Sequence, residues 1–358
     1  MSCFNRGEWS EIYAILSLLA SPDVSICNSD LEELTNQLYH LKKIQINDAV
    51  TNGIIEYSLK NQSEVEIFYN EELHDIVTSG ELSENKRRVY NAIENAPIGD
   101  GAFQIEGIDE LLSKLTKGKT IKAKSFSKED LSALMYDKSI NRDANLKYSI
   151  KSSLGSPATL LNSSKHTDFL FVVDGLNESE INNVNSIDTR TKLVDRLNYI
   201  FAHNGQIRFV KVVDDVFEYN LRMIDSNMPL YLGNALLKSY SAENKNLDEV
   251  FINSNDFADR DLAIKKLGDF LEGVSFGFFP SVKWDGYKQV NGGLVIVKNN
   301  GSVVILDLVY YRNEVVKYLI KETKLDSPSS TRYNMLHLWK NNDGKIYFTL
   351  NLQIRYRK

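Results

Sequence analysis

Apolar residues crowd the segment from Gly7 to Ala20, where Trp9, Ile12, Ile15, Leu16, Leu18 and Leu19 leave little polar surface on the second half. The pattern predicts a helix buried on most sides, ended by Pro22-Asp23. The period then shortens towards two, and strands are predicted at residues 43–46, 54–59 and 65–69. Helical spacing returns at 84–95 and 108–115. Strand signals follow at 120–124, 130–136, 146–152 and 168–173, separated by loops of serine, asparagine and lysine. Between the last two, residues 154–164 contain Gly155 and Pro157 and are too polar for a core, so they read as a functional loop or short helix. Helices are predicted at 189–202, 217–240 (broken at Pro229) and 259–274, with a strand at 207–213. Two hairpins are predicted. Residues 294–298 and 303–309 flank Asn299-Asn300-Gly301, and 336–340 and 345–352 flank Asn341-Asn342-Asp343-Gly344, with a helix at 312–321 between the hairpins. No repeat, low-complexity tract or clear linker interrupts the chain. The elements imply an α/β or α+β fold, a mixed β-sheet flanked by helices.

Composition narrows the function classes. A chain of 358 residues, 42% hydrophobic and 25% charged, has the make-up of a soluble globular protein with a large core. Cys3 and Cys27 are its only cysteines, which argues against a disulfide framework and a zinc site and for a reducing compartment. The N-terminus has no signal-peptide pattern, and no apolar run approaches the roughly 20 residues of a membrane span. A cytoplasmic protein without a membrane partner is expected. The net charge of −6 does not by itself exclude a polyanionic ligand, because binding depends on where charge is placed. Lys114, Lys117, Lys119, Lys122, Lys124 and Lys128 form a local basic patch, and the chain ends Arg355-Tyr356-Arg357-Lys358.

One constellation carries chemistry. In the run Tyr148-Ser149-Ile150-Lys151-Ser152 a strand would turn Ser149 and Lys151 to one face and Ile150 to the core. Asp130 opens the preceding strand, so pairing would bring a carboxylate and an ammonium to one sheet edge. Phosphodiester hydrolysis uses such a pair. The carboxylate holds a divalent cation that stabilises charge on the phosphate and acidifies the attacking water, and the lysine orients or deprotonates that water. The Ile150 carbonyl is a plausible further ligand.

The chain resembles the HpaII family of type II restriction endonucleases along nearly its whole length. The residues that carry the resemblance are 7–13 (Gly7 to Tyr13), Ser149-Ile150-Lys151-Ser152, Leu154-Gly155, Thr159 to Asn162, Trp284-Asp285-Gly286, Asn291-Gly292-Gly293, Arg312-Asn313-Glu314, Ser327 to Arg332, and Leu350 to Arg355. The resemblance implies a core similar to the PD-(D/E)xK nucleases, with additional C-terminal α/β elements. Residues 1–205 would then hold the catalytic core with its N-terminal helix, and 206–358 the region for DNA recognition or dimerisation. Asp130 matches the metal-binding aspartate and Lys151 the lysine, with Mg²⁺ as cofactor. Ser149 stands where the family pattern has an acid. Glu8 and Glu11 share a face of the first helix, and Glu11 is the expected replacement; Asp168 is a weaker one. The expected metal ligands are therefore Asp130, Glu11 and the Ile150 carbonyl.

Asn162, Ser163 and Lys165 on the loop after the catalytic strand are candidates for contacting DNA. So are Lys124 and Lys128 of the basic patch, and Ser329, Thr331 and Arg332 of a second polar loop. The resemblance further implies double-stranded DNA as substrate, the palindrome CCGG cut after its first cytosine to leave a 5′ overhang, a homodimer on that site, and a separate DNA methyltransferase acting alongside in a restriction–modification system. Rival readings are a repair nickase of the same superfamily, a DNA-binding protein with a degenerate site, and a protein-interaction module compatible with the acidic net charge.

Overall fold

A computed structural model describes residues 2–49, 52–61, 63–96, 101–117, 127–155, 157–330 and 332–357, without the side chains of 35–38. The strand expected at 120–124 lies outside the described residues. The chain forms two compact units. The first comprises residues 1–158 and 288–318 with residue 358, and the second residues 159–287 and 319–357. The expected boundary at 205/206 falls inside the second unit, in the turn before the strand Gln206–Val212. Residues 293–307 join the first unit because their hairpin pairs with a strand some 145 positions earlier, a partnership that no local pattern encodes.

The first unit is built on nine strands in the order Asp23–Cys27, Val303–Asp307, Gly293–Val297, Arg142–Ser152, Leu131–Asp137, Glu33–Asn47, Ile54–Leu59, Glu64–Tyr69 and Glu72–Thr78. The sheet is mixed, as expected. Gly293–Val297 runs parallel to Arg142–Ser152, and Val303–Asp307 parallel to Asp23–Cys27, while the other pairs are antiparallel. Strand alternation assigns the faces. Along Leu131–Asp137 every second residue is buried, and Leu131, Ala133 and Met135 share one core with Ile44, Ile46, Tyr57, Tyr148 and Ile150. The helices Arg6–Ala20 and Ser79–Asn95 pack into that same core.

Arg6–Ala20 begins in a capping box. Asn5 Oδ1 accepts from the Glu8 N–H and Glu8 Oε2 accepts from the Asn5 N–H, both at 3.0 Å. Trp9, Leu16 and eight further residues of the helix are buried, as the crowded apolar pattern predicts. Each large apolar side chain so buried contributes about 1.5–3 kcal/mol. The sheet edge Glu72–Thr78 escaped the sequence reading because it is largely exposed and lacks alternation. Most of Glu33–Asn47 also escaped it; only its end shows the pattern.

Gly293 has φ +118, and a Cβ there would lie 2.0 Å from the Leu306 carbonyl oxygen. Gly293→Ala is expected to destabilise the protein by about 3–4 kcal/mol, read as a lowered urea midpoint at unchanged m-value. A midpoint within error of wild type would contradict this packing.

The second unit holds an antiparallel sheet ordered Gln206–Val212, Asp168–Asp174, Ile346–Asn351, Trp339–Lys340, and a small sheet ordered Thr159–Leu161, Ile354–Tyr356, Thr323–Leu325. Phe171 stacks on Phe348 across the first, with ring centroids 5.2 Å apart. The helix expected at 217–240 is two helices, Asp215–Ile224 and Met228–Ser239. Pro229 does not break a helix but sits in the first turn of the second one, where its missing N–H has no partner to lose.

Candidate active site

The strand Arg142–Ser152 runs past the start of its neighbour. Leu131 pairs with Tyr148, and Asp130 N–H still bonds the Tyr148 carbonyl at 2.9 Å, but the ladder on that side stops there. The Asp130 side chain fills the gap. Its Oδ2 accepts the Ile150 N–H at 2.6 Å and the Ser149 hydroxyl at 3.0 Å. Lys151 Nζ donates to Ser149 Oγ at 2.9 Å. Alternation works as the sequence implies: Ile150 faces the core, while Ser149 and Lys151 share the other side with Asp130. Ser149 is only 4% exposed, so its two bonds hold lysine and aspartate at fixed spacing through a neutral hydroxyl.

These groups suit a hard cation. Asp130 Oδ1 has no hydrogen-bond partner among the described residues, and Asp130 lines a cavity of about 90 Å³. A strand residue points its N–H and C=O to the same side, so the Ile150 carbonyl faces the side on which Asp130 takes its N–H. A carboxylate oxygen, a carbonyl and water form the oxygen set that Mg²⁺ takes. Among the described residues no group of three or more His, Cys, Asp or Glu assembles, so any such site would be completed by water and substrate.

Lys128 departs most from its expected place. Rather than standing on an open basic patch, it is half-buried near Asp130 and Lys151. Burial, followed by the charge of Lys151, pushes its ammonium down to about 7 against the opposing pull of Asp130. Its backbone N–H donates to Gln289 Oε1 at 2.9 Å, and Asn291 Oδ1 accepts the Lys147 N–H at 2.8 Å. Gln289 and Asn291 thus brace the entrance and the strand of the candidate site. Sequence reading gave them no such role, although Asn291 stood in one of the resemblance blocks.

Of the expected third acids, Glu8 is committed to the capping box. Glu11 is half-buried on a helix that packs against the Ile150 side of the sheet, whereas Asp130, Ser149 and Lys151 meet on the other side. Asp168 belongs to the second unit, accepts a 2.8 Å bond from Asn351 Nδ2, and has its pKa raised by burial.

The other DNA-contact candidates lie in the second unit, where two of the predicted loops meet. Tyr333 donates to the Ser163 carbonyl at 3.0 Å, which sets the 327–333 loop beside the 162–165 loop. Asn162, Lys165, Ser329 and Arg332 are exposed there, and Ser163 is half-buried. Arg332 stacks over the Tyr333 ring, 5.5 Å from its centroid. Lys124 and Thr331 lie outside the described residues.

The family model described as HpaII restriction endonuclease matches residues 5–356. The type II restriction enzyme HpaII of Haemophilus parainfluenzae is 34% identical over 362 residues, covering 98% of this chain and 98% of that protein. No solved structure matches.

Proposed function

The chain belongs to the HpaII restriction endonuclease family, whose members are type II site-specific deoxyribonucleases, and from that membership we propose that it cleaves double-stranded DNA at CCGG with Mg²⁺, leaving a 5′ overhang. The observation that carries the reading is the chain of contacts Lys151–Ser149–Asp130 at an open strand end. Asp130 and the Ile150 carbonyl would hold the cation, which when bound supplies positive charge to the scissile phosphate and acidifies the attacking water. Lys151, fixed by Ser149, would orient that water and offset the negative charge that builds on the phosphate. Lys128 adds a second amine beside the same carboxylate, shifted towards its neutral form. Glu11, on the helix against the other side of the sheet, is not part of this proposal.

The exposed pair of loops at 162–165 and 327–332 is proposed to contact the bases and phosphates of the site, with Arg332 and Lys165 suited to guanine or phosphate and Asn162 to base edges. Two cuts in a palindrome call for two active sites, hence a homodimer on DNA, and protection of the host genome calls for a methyltransferase of the same specificity. Among the described residues no helix is long and apolar enough to cross a membrane.

The test is digestion of a plasmid of known sequence with Mg²⁺, followed by sequencing of the ends. Linear product with one recurrent end sequence is expected. Nicked circles alone would leave the nickase reading in its place, and intact plasmid with retained DNA binding the non-catalytic one.

A further inference from the structure

Ser149 leaves the candidate site one acid short of the family pattern, and a residue that spacing did not single out stands beside it. Glu129 directly precedes Asp130, and its side chain is only 15% exposed. Glu129 Oε2 lies 2.6 Å from Lys147 Nζ, and Oε1 accepts Asn47 Nδ2 at 3.3 Å. Lys147 is two residues before Ser149 on the same strand, so both point to the same face of the sheet. The Glu129 carboxylate therefore hangs over the face on which Asp130, Ser149 and Lys151 meet. Glu129 and Asp130 also line the same 90 Å³ cavity, together with Gln45, Asn47 and Ser132. Glu129 further lines an adjoining, more open groove of about 470 Å³ whose cationic side chains are Lys147 and Lys288.

Resting on the nuclease reading above, we propose that Glu129 supplies the second carboxylate of the active site, and that Lys147 competes with the cation for it until DNA arrives. A backbone phosphate entering the lysine-lined groove draws Lys147 away, and Glu129 is then free to face the cation beside Asp130. Lys147 is 48% exposed, so its ammonium is open to an incoming phosphate even though Glu129 itself is largely covered. The charge count also suits the cation, since Mg²⁺ sites use one or two carboxylates with water and phosphate oxygens for the remainder.

The experiment compares wild type, Glu129→Gln, Glu129→Asp, Lys147→Met and Glu11→Gln as full chains. It measures Mn²⁺ affinity by calorimetry without DNA, DNA affinity in EDTA, and cleavage. Glu129→Gln is expected to weaken Mn²⁺ binding at least tenfold and slow cleavage about 10²–10³-fold while leaving DNA affinity in EDTA within threefold. Lys147→Met is expected to do the opposite to the free enzyme, tightening Mn²⁺ binding because its competitor is gone, and to weaken DNA binding. A purely structural role for Glu129 would not produce those opposed shifts. Should Glu129→Gln fail to fold, Glu129→Asp and Lys147→Met carry the same test. Wild-type Mn²⁺ affinity and rate in Glu129→Gln, or the loss appearing in Glu11→Gln instead, overturns the assignment. A wild-type chain that cuts no DNA with any divalent cation would overturn the nuclease reading itself, a separate result from these.

Discussion

Lys151→Ala is expected to lower the single-turnover cleavage rate by about 10³-fold while DNA affinity stays within about threefold. The ammonium is fixed by one bond to Ser149 Oγ at 2.9 Å, and through that hydroxyl it is held at a set distance from Asp130. A positioned proton-transfer group contributes about 10²–10⁴ in rate, and a preorganised charge facing the transition state contributes on the same scale. Substrate binding, by contrast, is distributed over many phosphate contacts, so the loss of one amine leaves it nearly intact. Lys151→Arg should not rescue the enzyme, because the planar guanidinium cannot occupy the site of a compact ammonium in contact with Ser149. The assay is rapid-quench cleavage of a duplex containing one site, with binding followed in EDTA. A rate within tenfold of wild type would remove Lys151 from the mechanism.

The second large effect separates chemistry from structure at one residue. Asp130→Ala is expected to reduce cleavage by about 10⁴-fold and also to cost about 1–3 kcal/mol of stability. The stability loss arises because the Ile150 N–H, at the end of the strand ladder, has the Asp130 carboxylate as its acceptor at 2.6 Å. Asp130→Asn keeps an oxygen that can accept that bond, so most of the stability should return. Cation affinity should not return, since the amide carries no charge. Thermal denaturation with and without Mg²⁺ checks the split. Mg²⁺ should raise the melting temperature of wild type, but not of Asp130→Asn. Equal stabilisation of both by Mg²⁺ would place the cation elsewhere.

The candidate site was partly legible in the sequence. The alternation of residues 148–152 turned Ser149 and Lys151 away from Ile150, while Asp130, expected to open the neighbouring strand, stands one residue before it. The first helix was legible for a similar reason: its apolar crowding is a local signal of burial. The expectation of Glu11 rests on the same local signal, which does not reach across the fold. Periodicity shows which side of a helix is polar, but not which face of a sheet the helix covers.

Glu129 illustrates the converse. Nothing in its neighbourhood distinguishes it from a surface glutamate, and its partner Asn47 is 82 positions away. Lys128 read as one of six patch lysines until burial beside Asp130 and Lys151 changed its proton affinity. Gln289 and Asn291 brace residues some 140–160 positions earlier through bonds from backbone N–H groups to their side-chain amides.

What the sequence determined by itself, then, was most of the elements and the faces of individual strands, which follow from steric and burial preferences that act over a few residues. The choice of Asp130 and Lys151 as a unit of chemistry came from the resemblance to the nuclease family. The tertiary structure alone decided that Ser149 links that pair, that Asp130 closes an open strand end, and that Glu129 meets Lys147 over the same face. Those outcomes depend on strand register and on the long loop closures that bring residues 47, 129, 147 and 291 together, and no short window of sequence specifies them.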